Sequence, residues 1–363
     1  MIVKNAPNRL SWRRRIVSIH RWLGVAAALF WLVQAATGIA IMFHWEMQDA
    51  SVAGAHRATD LAAIERRIDT LAPPGSSAKL GSLWTTAGSP DRYEIFFADA
   101  DSVSRSVRIA GDGTVLQEKG PEEGSLLGTL VDIHHNLAAG KTGDWIVAVS
   151  GLLLISNLLF GLIVALPRGV RWRAALKPVS KGPAAARLYS WHRAVGLWAI
   201  LPALVMVTAG TLLKFEDGFG ALIGAEPVAL PANPPAEGRQ VGFSIAAQAA
   251  LGAIPGSTLT AVSWPGEGDA TYRVRVLAPG EIRRAYGASV VLVDANNGQV
   301  RGTFPIAEAQ GARAFMSALF PVHTGELGGL VGRLLAIAIG VWLATMVVVG
   351  VLLWLRRRPS RRA

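Results

Sequence analysis

Residues 13–43 read RRRIVSIHRWLGVAAALFWLVQAATGIAIMF, three arginines and then an apolar run from Leu23 to Phe43. A hydrocarbon core needs about 20 apolar residues to cross it, and this run supplies them. Its basic prefix resembles that of a secretion signal, whose apolar region covers only about 7–15 residues before a small-residue cleavage site. Here the run continues into Phe43, His44, Trp45 and Glu46, so it reads as a retained span. Three further runs match it: Trp145–Leu166, Val195–Phe215 and Leu334–Leu355. They account for a chain of 363 residues that is 51% apolar and only 17% charged, where soluble proteins carry about 25% charged residues.

The net charge of +11 is a matter of topology rather than of nucleic acid. Residues 1–22 carry six Lys or Arg, residues 167–193 seven and residues 356–363 five, with no Asp or Glu among them. Under the positive-inside rule these segments face the cytoplasm. The expected order is therefore a cytoplasmic N-terminus (1–22), span (23–43), outer domain (44–144), span (145–166), cytoplasmic loop (167–194), span (195–215), second outer domain (216–333), span (334–355) and cytoplasmic tail (356–363).

Each outer segment reads as a small α+β unit. In the first, Asp60–Leu71 has helical spacing, and strand patterns follow at Leu80–Thr85, Tyr93–Phe97 and Val103–Ile109, with a turn at Gly111-Asp112-Gly113. In the second, Phe243–Leu251 is helical, strands follow at Thr258–Trp264, Tyr272–Leu277 and Ser289–Val293, and Asn297-Gly298 is a turn. Pro227–Pro235 reads as the linker into it.

The spans repeat. An offset of 172 residues carries His20-Arg21-x-x-Gly24 onto His192-Arg193-x-x-Gly196, Gly38 onto Gly210 and Phe43 onto Phe215. An offset of 189 carries His134 onto His323, Gly140 and Gly143 onto Gly329 and Gly332, Gly151 onto Gly340, and Gly161 onto Gly350. The expectation is an internal duplication of span, outer domain, span. Four of the seven histidines then form two pairs, His20 with His192 at the inner surface and His134 with His323 at the outer one. His44, His135 and His56 have no repeat partner; His44 and His135 remain possible substitute ligands.

Histidines at membrane depth point to a function, because an unpaired ionisable group is costly there. Two imidazoles from facing helices can clamp a haem iron within a helical bundle. One haem cannot serve both faces of a core about 30 Å thick, so two are expected. With no cysteine in the chain they must be non-covalent, b-type haems with bis-His ligation. Arg21 and Arg193 are placed to meet propionates. Gly24 and Gly196, and outside Gly140, Gly143, Gly329 and Gly332, are expected to make room for the macrocycles, whereas Gly38, Gly161, Gly210 and Gly350 read as close-packing positions.

The motifs His20-Arg21-Trp22-Leu23-Gly24, Thr37-Gly38, Ile133-His134-His135-Asn136-Leu137, Trp191-His192-Arg193 and Val322-His323-Thr324-Gly325 resemble the PepSY-associated transmembrane family over nearly the whole chain. The resemblance implies a four-helix transmembrane bundle with two periplasmic PepSY-like domains. It also implies a di-haem reductase of ferric siderophores that draws electrons from a cytoplasmic or quinol donor and releases iron(II), which hard-oxygen chelators hold weakly. The rivals are a siderophore or iron transporter subunit and a non-catalytic PepSY binding or regulatory module. Neither hydrolase nor P-loop motifs occur. Trp45, Trp84, Trp145 and Trp264 are candidate surfaces for a chelate, and Arg273, Arg275, Arg283 and Arg284 candidate partners for an anionic one.

Overall fold

The computed structural model describes residues 9–356 apart from 53, 55, 87–88, 121–123, 168–171, 226–229, 239 and 283–285. Arg283 and Arg284, residues 227–229 of the expected linker, and residues 1–8 and 357–363 of the basic ends therefore lie outside the described residues. The helices are α1 (Arg9–Ala26), α2 (Ala28–Ala40), α3 (His44–Ala50), α4 (Leu61–Leu71), α5 (Leu126–Asn136), α6 (Gly140–Ala165), α7 (Trp172–Ala175), α8 (Ala184–Leu213), α9 (Glu216–Ile223), α10 (Phe243–Ala253), α11 (Gly311–His323) and α12 (Gly329–Arg356). The strands are β1 (Lys79–Thr86), β2 (Ser89–Ala98), β3 (Ser104–Ala110), β4 (Val115–Lys119), β5 (Thr258–Ser263), β6 (Thr271–Leu277), β7 (Ser289–Asp294) and β8 (Val300–Phe304). Two compact units result, a helical one from residues up to 42, 128–216 and 322 onward, and a sheet unit from 43–127 and 217–321.

In the helical unit α6, α8 and α12 are each long and apolar enough to cross a membrane, and α1 with α2 makes a fourth span if the bent pair is counted as one. The chain is thus a multi-pass membrane protein. Helix α2 packs on α12, α12 on α8, α8 on α6 and α6 on α1, around a core of Trp31, Ala35, Leu154, Leu158, Ile200 and Leu343. Large apolar side chains such as Leu201, Val205, Leu335 and Val341 stay exposed on the outside of the bundle, as a lipid-facing surface requires. The first span departs from the single helix expected over 23–43. It starts earlier, within α1, and turns by 63° between α1 and α2. The apolar run marks only the part suited to hydrocarbon; the basic turns before it are helical too. One reason is Arg13, whose Nη2 donates to the carbonyls of Ile163 and Val164 at 3.1 and 2.9 Å. These are among the orphan acceptors at the end of α6.

The sheet unit was expected as two separate helix-plus-three-strand domains. Instead its eight strands form one antiparallel sheet in the order β4-β3-β2-β1-β5-β6-β7-β8. Each half holds a fourth strand, β4 or β8, too short and too polar in VLQEK and VRGTF to show the alternation of its neighbours. The halves join where β1 pairs with β5, through Ser82–Ser263, Leu83–Val262 and Trp84–Ala261. Helices α4 and α10 cover one face, with Ile64, Ile68, Phe243, Ala246 and Ala250 packed on Leu83, Ile95, Ile109, Val262, Val274 and Val291. Period-two alternation then sends Arg273 and Arg275 to the opposite face while Tyr272, Val274 and Val276 point into the core.

Matching details anchor the two helices. Buried Tyr93 shares a 2.9 Å hydrogen bond with the Thr59 hydroxyl just before α4, and Tyr272 donates to the Val241 carbonyl just before α10 at 3.0 Å. Burial pushes both phenols up to about 12. Asp60 caps α4, accepting from the Ala62 and Ala63 amides at 3.0 and 3.0 Å. Replacing Asp60 with alanine should cost about 1 kcal/mol of local stability, the usual worth of such a cap, and is checked as faster amide hydrogen exchange in the first turn of α4.

The edges of the expected outer domains also move. Residues 128–144 and 322–333, placed outside with the loops by sequence, group with the helices. The reason is that both segments carry a histidine that packs on a helix of the bundle.

Candidate functional site

Both expected histidine pairs form, within the helical unit. His20 of α1 faces His192 of α8 with ring centroids 6.3 Å apart and planes at 53°. His134, near the end of α5, faces His323, the last residue of α11, at 6.2 Å and 27°. Along α8, His192 and the Gly210 that meets His323 are separated by roughly 27 Å at 1.5 Å per residue, so the two pairs occupy opposite ends of the bundle.

The hydrogen bonds orient these rings. His20 Nδ1 lies 3.0 Å from the Asn157 carbonyl and His323 Nδ1 3.0 Å from the Met206 carbonyl. His134 Nδ1 lies 3.1 Å from the Thr37 hydroxyl, which itself donates to the Val33 carbonyl at 2.8 Å. The two carbonyls can only accept, so in His20 and His323 the proton sits on Nδ1 and the Nε2 lone pair is left for a ligand bond. This is the arrangement that metal-bound histidines adopt. His192 Nδ1 is buried with no hydrogen-bond partner among the described residues.

Glycines seat all four rings. An added β-carbon would stand 2.9 Å from His134 Cε1 at Gly38, 3.0 Å from His20 Cε1 at Gly161 and 3.5 Å from His192 Cε1 at Gly350; at Gly210 it would run into the His323 ring. Sequence reasoning assigned these four glycines to close packing. They do pack closely, but against imidazoles, and no spacing argument alone distinguishes the two. The glycines expected to clear space outside do something else. At Gly143 an added β-carbon would strike the Asn136 carbonyl, and at Gly332 that of Gly325, so these positions let the preceding loop cross the helix. Gly140 and Gly329 have φ of +53° and +56°, a conformation that glycine adopts without strain.

The first pair opens on a cleft of about 180 Å³ lined by His20, Arg21, Gly24, His192, Arg193, Gly196 and the seating Gly161 and Gly350. All six residues predicted at this end thus share one cavity. Two of its buried polar atoms, Arg21 Nε and His192 Nδ1, have no partner among the described residues.

These residues fit a haem. A metal–imidazole bond runs about 2.0–2.1 Å, and the ring centre lies roughly 1.2 Å behind its nitrogen, so one ion between two opposed rings places centroids about 6.4 Å apart. The centroid spacings of both pairs, 6.3 and 6.2 Å, leave room for one ion between opposed Nε2 atoms. Among the described residues no set of three or more His, Asp or Glu could hold a bare metal ion. Ligands that come in twos suit a group that brings its own equatorial nitrogens.

The remaining candidates separate. His135 is exposed, its ring 6.1 Å from that of His134. His44 opens α3 in the sheet unit beside Trp45, and His56 is half exposed, with Nδ1 2.8 Å from Asp91. Trp264 stacks on Phe243 at 6.0 Å as part of the sheet core, and Trp145 lies on α6 against Phe215. Arg273 is exposed on β6. Trp45, Trp84 and Arg275 come together in the sheet unit: both Trp rings pack on Tyr286, and the Arg275 guanidinium lies 5.8 Å from the centre of the Trp84 ring.

Against known proteins, residues 17–357 match a family described as the PepSY-associated TM region. No curated protein matches the chain.

Proposed function

The chain belongs to the PepSY-associated transmembrane family, and we propose that it is a di-haem b reductase that passes single electrons across a bacterial inner membrane to a ferric siderophore. The observation that carries the proposal is the pair of imidazole couples at opposite ends of one bundle, each at the spacing of a shared ion. Haem bound there supplies reversible one-electron chemistry between iron(III) and iron(II).

The chain's own residues do the rest. His20 and His192 hold one group and His134 and His323 the other. The carbonyls of Asn157 and Met206 keep His20 and His323 in one tautomer and orientation, and the Thr37 hydroxyl orients His134. Arg21 and Arg193 meet the propionates at the end where Arg13, Arg14 and Arg15 enter the bundle. That basic end faces the cytoplasm and takes electrons from a cytoplasmic or quinol donor. The acid-bearing loops face the periplasm, where the sheet unit is the pair of PepSY-like domains produced by an internal duplication. The matched glycine seats and the like settings of Tyr93 and Tyr272 support that duplication. The net change is one electron from the donor to chelated iron(III), which leaves as iron(II).

Changing His135 to Gln should leave two haems per chain, because His135 is exposed and has no counterpart in the repeat; haem assay of the purified variant checks it. Loss of a haem there, with normal content in His134→Ala, would reverse the assignment. Sidedness is tested with pre-reduced protein in right-side-out and inside-out vesicles and a membrane-impermeant ferric chelate. Haem oxidation is expected where the periplasmic face is outermost; oxidation only in the opposite preparation would contradict the proposal.

A further inference from the structure

The face of the sheet opposite α4 and α10 carries a row of residues in cross-strand register. Arg108 on β3 pairs with Glu94 on β2, Glu94 with Trp84 on β1, Trp84 with Ala261 on β5, and Ala261 with Arg275 on β6. The small side chain at Ala261 leaves space for the Arg275 guanidinium to lie over Trp84. Above this row sit Trp45 and Tyr286. The Tyr286 ring meets Trp84 edge-on at 5.1 Å and Trp45 edge-on at 5.3 Å. Between them is a cavity of about 330 Å³, lined by Trp45, Trp84, Tyr286, Glu94, Arg108 and Thr85 among others.

Buried polar atoms without partners are rare in folded proteins, and two belong to residues that line this cavity. Arg108 is only 5% exposed and Thr85 2%, yet Arg108 Nε and Thr85 Oγ1 have no partner among the described residues. The Glu94 carboxylate is already engaged, accepting from Arg108 Nη2 at 2.9 Å and from the Ser106 hydroxyl at 2.9 Å. With Glu94 so engaged, the Arg108 Nε–H and the Thr85 hydroxyl remain as donors for an anionic oxygen. Three indole and phenol rings favour a flat, polarisable guest. The volume of about 330 Å³ lies at the lower end of the usual range of small-molecule sites, about 300–1,000 Å³.

We propose that this cavity binds an anionic aryl group, the donor arm of a catecholate- or salicylate-type ferric chelate, with the ring against Trp84 and Trp45 and the anionic oxygens toward Arg108 and Thr85. The proposal takes its substrate role from the reductase reading above and its geometry from the sheet unit alone.

Gallium(III) replaces iron in the test because it is not reduced under these conditions, so binding is read apart from electron transfer. Calorimetric titration of the full chain uses gallium(III) tris(2,3-dihydroxybenzoate), an aliphatic gallium(III) trihydroxamate, and free salicylate. The aryl chelate is expected to bind at least tenfold more tightly than the hydroxamate. Trp84→Leu and Trp45→Leu should each weaken it tenfold or more with haem content unchanged, and Trp84→Phe should restore most of it. Equal affinity for the two chelates, or tryptophan variants that bind like the parent, would overturn the proposal. So would binding of salicylate with exclusion of the gallium chelate, which would make the guest a free aryl acid. Aryl binding that persists in a protein unable to reduce any ferric chelate would sink the reductase reading and keep the cavity. Equal reduction of aryl and aliphatic chelates, with equal binding, would do the reverse.

Discussion

Replacing His192 with alanine is expected to lower haem content from two groups per chain to about one. Its ring faces His20 at 6.3 Å in the cleft and has no competing hydrogen bond at Nδ1 among the described residues. Removing it leaves His20 as a single ligand at that end. The His134–His323 couple lies roughly 27 Å away along α8 and shares no residue with it, so the remaining haem should keep its low-spin bis-His spectrum. Imidazole added to the variant should enter the space left by the side chain and recover part of the lost group, which distinguishes a missing ligand from a misfolded bundle. A pyridine haemochrome assay gives the count. Two full haems in His192→Ala would contradict the assignment.

Gly210→Ala should be the most damaging of the glycine replacements, and Gly350→Ala the mildest. At Gly210 the new β-carbon falls on the His323 ring, which its Met206 hydrogen bond holds in place. At Gly350 the nearest imidazole atom is 3.5 Å away, an ordinary contact. Overpacking a well-filled interior costs about 1–3 kcal/mol, and at Gly210 that strain is directed at a ligand. The expected outcome is loss of the haem at the His134–His323 end in Gly210→Ala and near-normal loading in Gly350→Ala. Gly38→Ala and Gly161→Ala, at 2.9 and 3.0 Å, should fall between them. If all four alanine variants load two haems equally, the seats have no role in ligation.

The pairing of His20 with His192 and of His134 with His323 was legible in the sequence because two fixed offsets carried one member of each pair onto the other. The long apolar helices α6, α8 and α12 were legible from apolar length. Other features were not. The bend between α1 and α2 has no proline to announce it. The union of the two α+β halves rests on three β1–β5 residue pairs, and Ser82, Leu83 and Trp84 carry no mark of pairing beyond their own half. Strands β4 and β8 are short edges, where polar residues erase the alternation. The glycine seats were visible as repeats, but their partners are 96 to 158 residues away in sequence and become neighbours only through the bundle. The tryptophans show the same limit from the other side. Trp264 and Trp84 both sit in strand patterns, and only the face each one takes separates core from cavity.

The central claim, that the two imidazole couples carry electrons to chelated iron, is tested most directly by anaerobic mixing of the fully reduced, purified protein with a ferric siderophore while haem absorbance is followed. The account predicts a b-type spectrum equivalent to two haems per chain, oxidation of both on mixing, and one iron(II) formed for each electron lost. A purified protein without haem, or reduced haems that persist in excess ferric chelate, would contradict it.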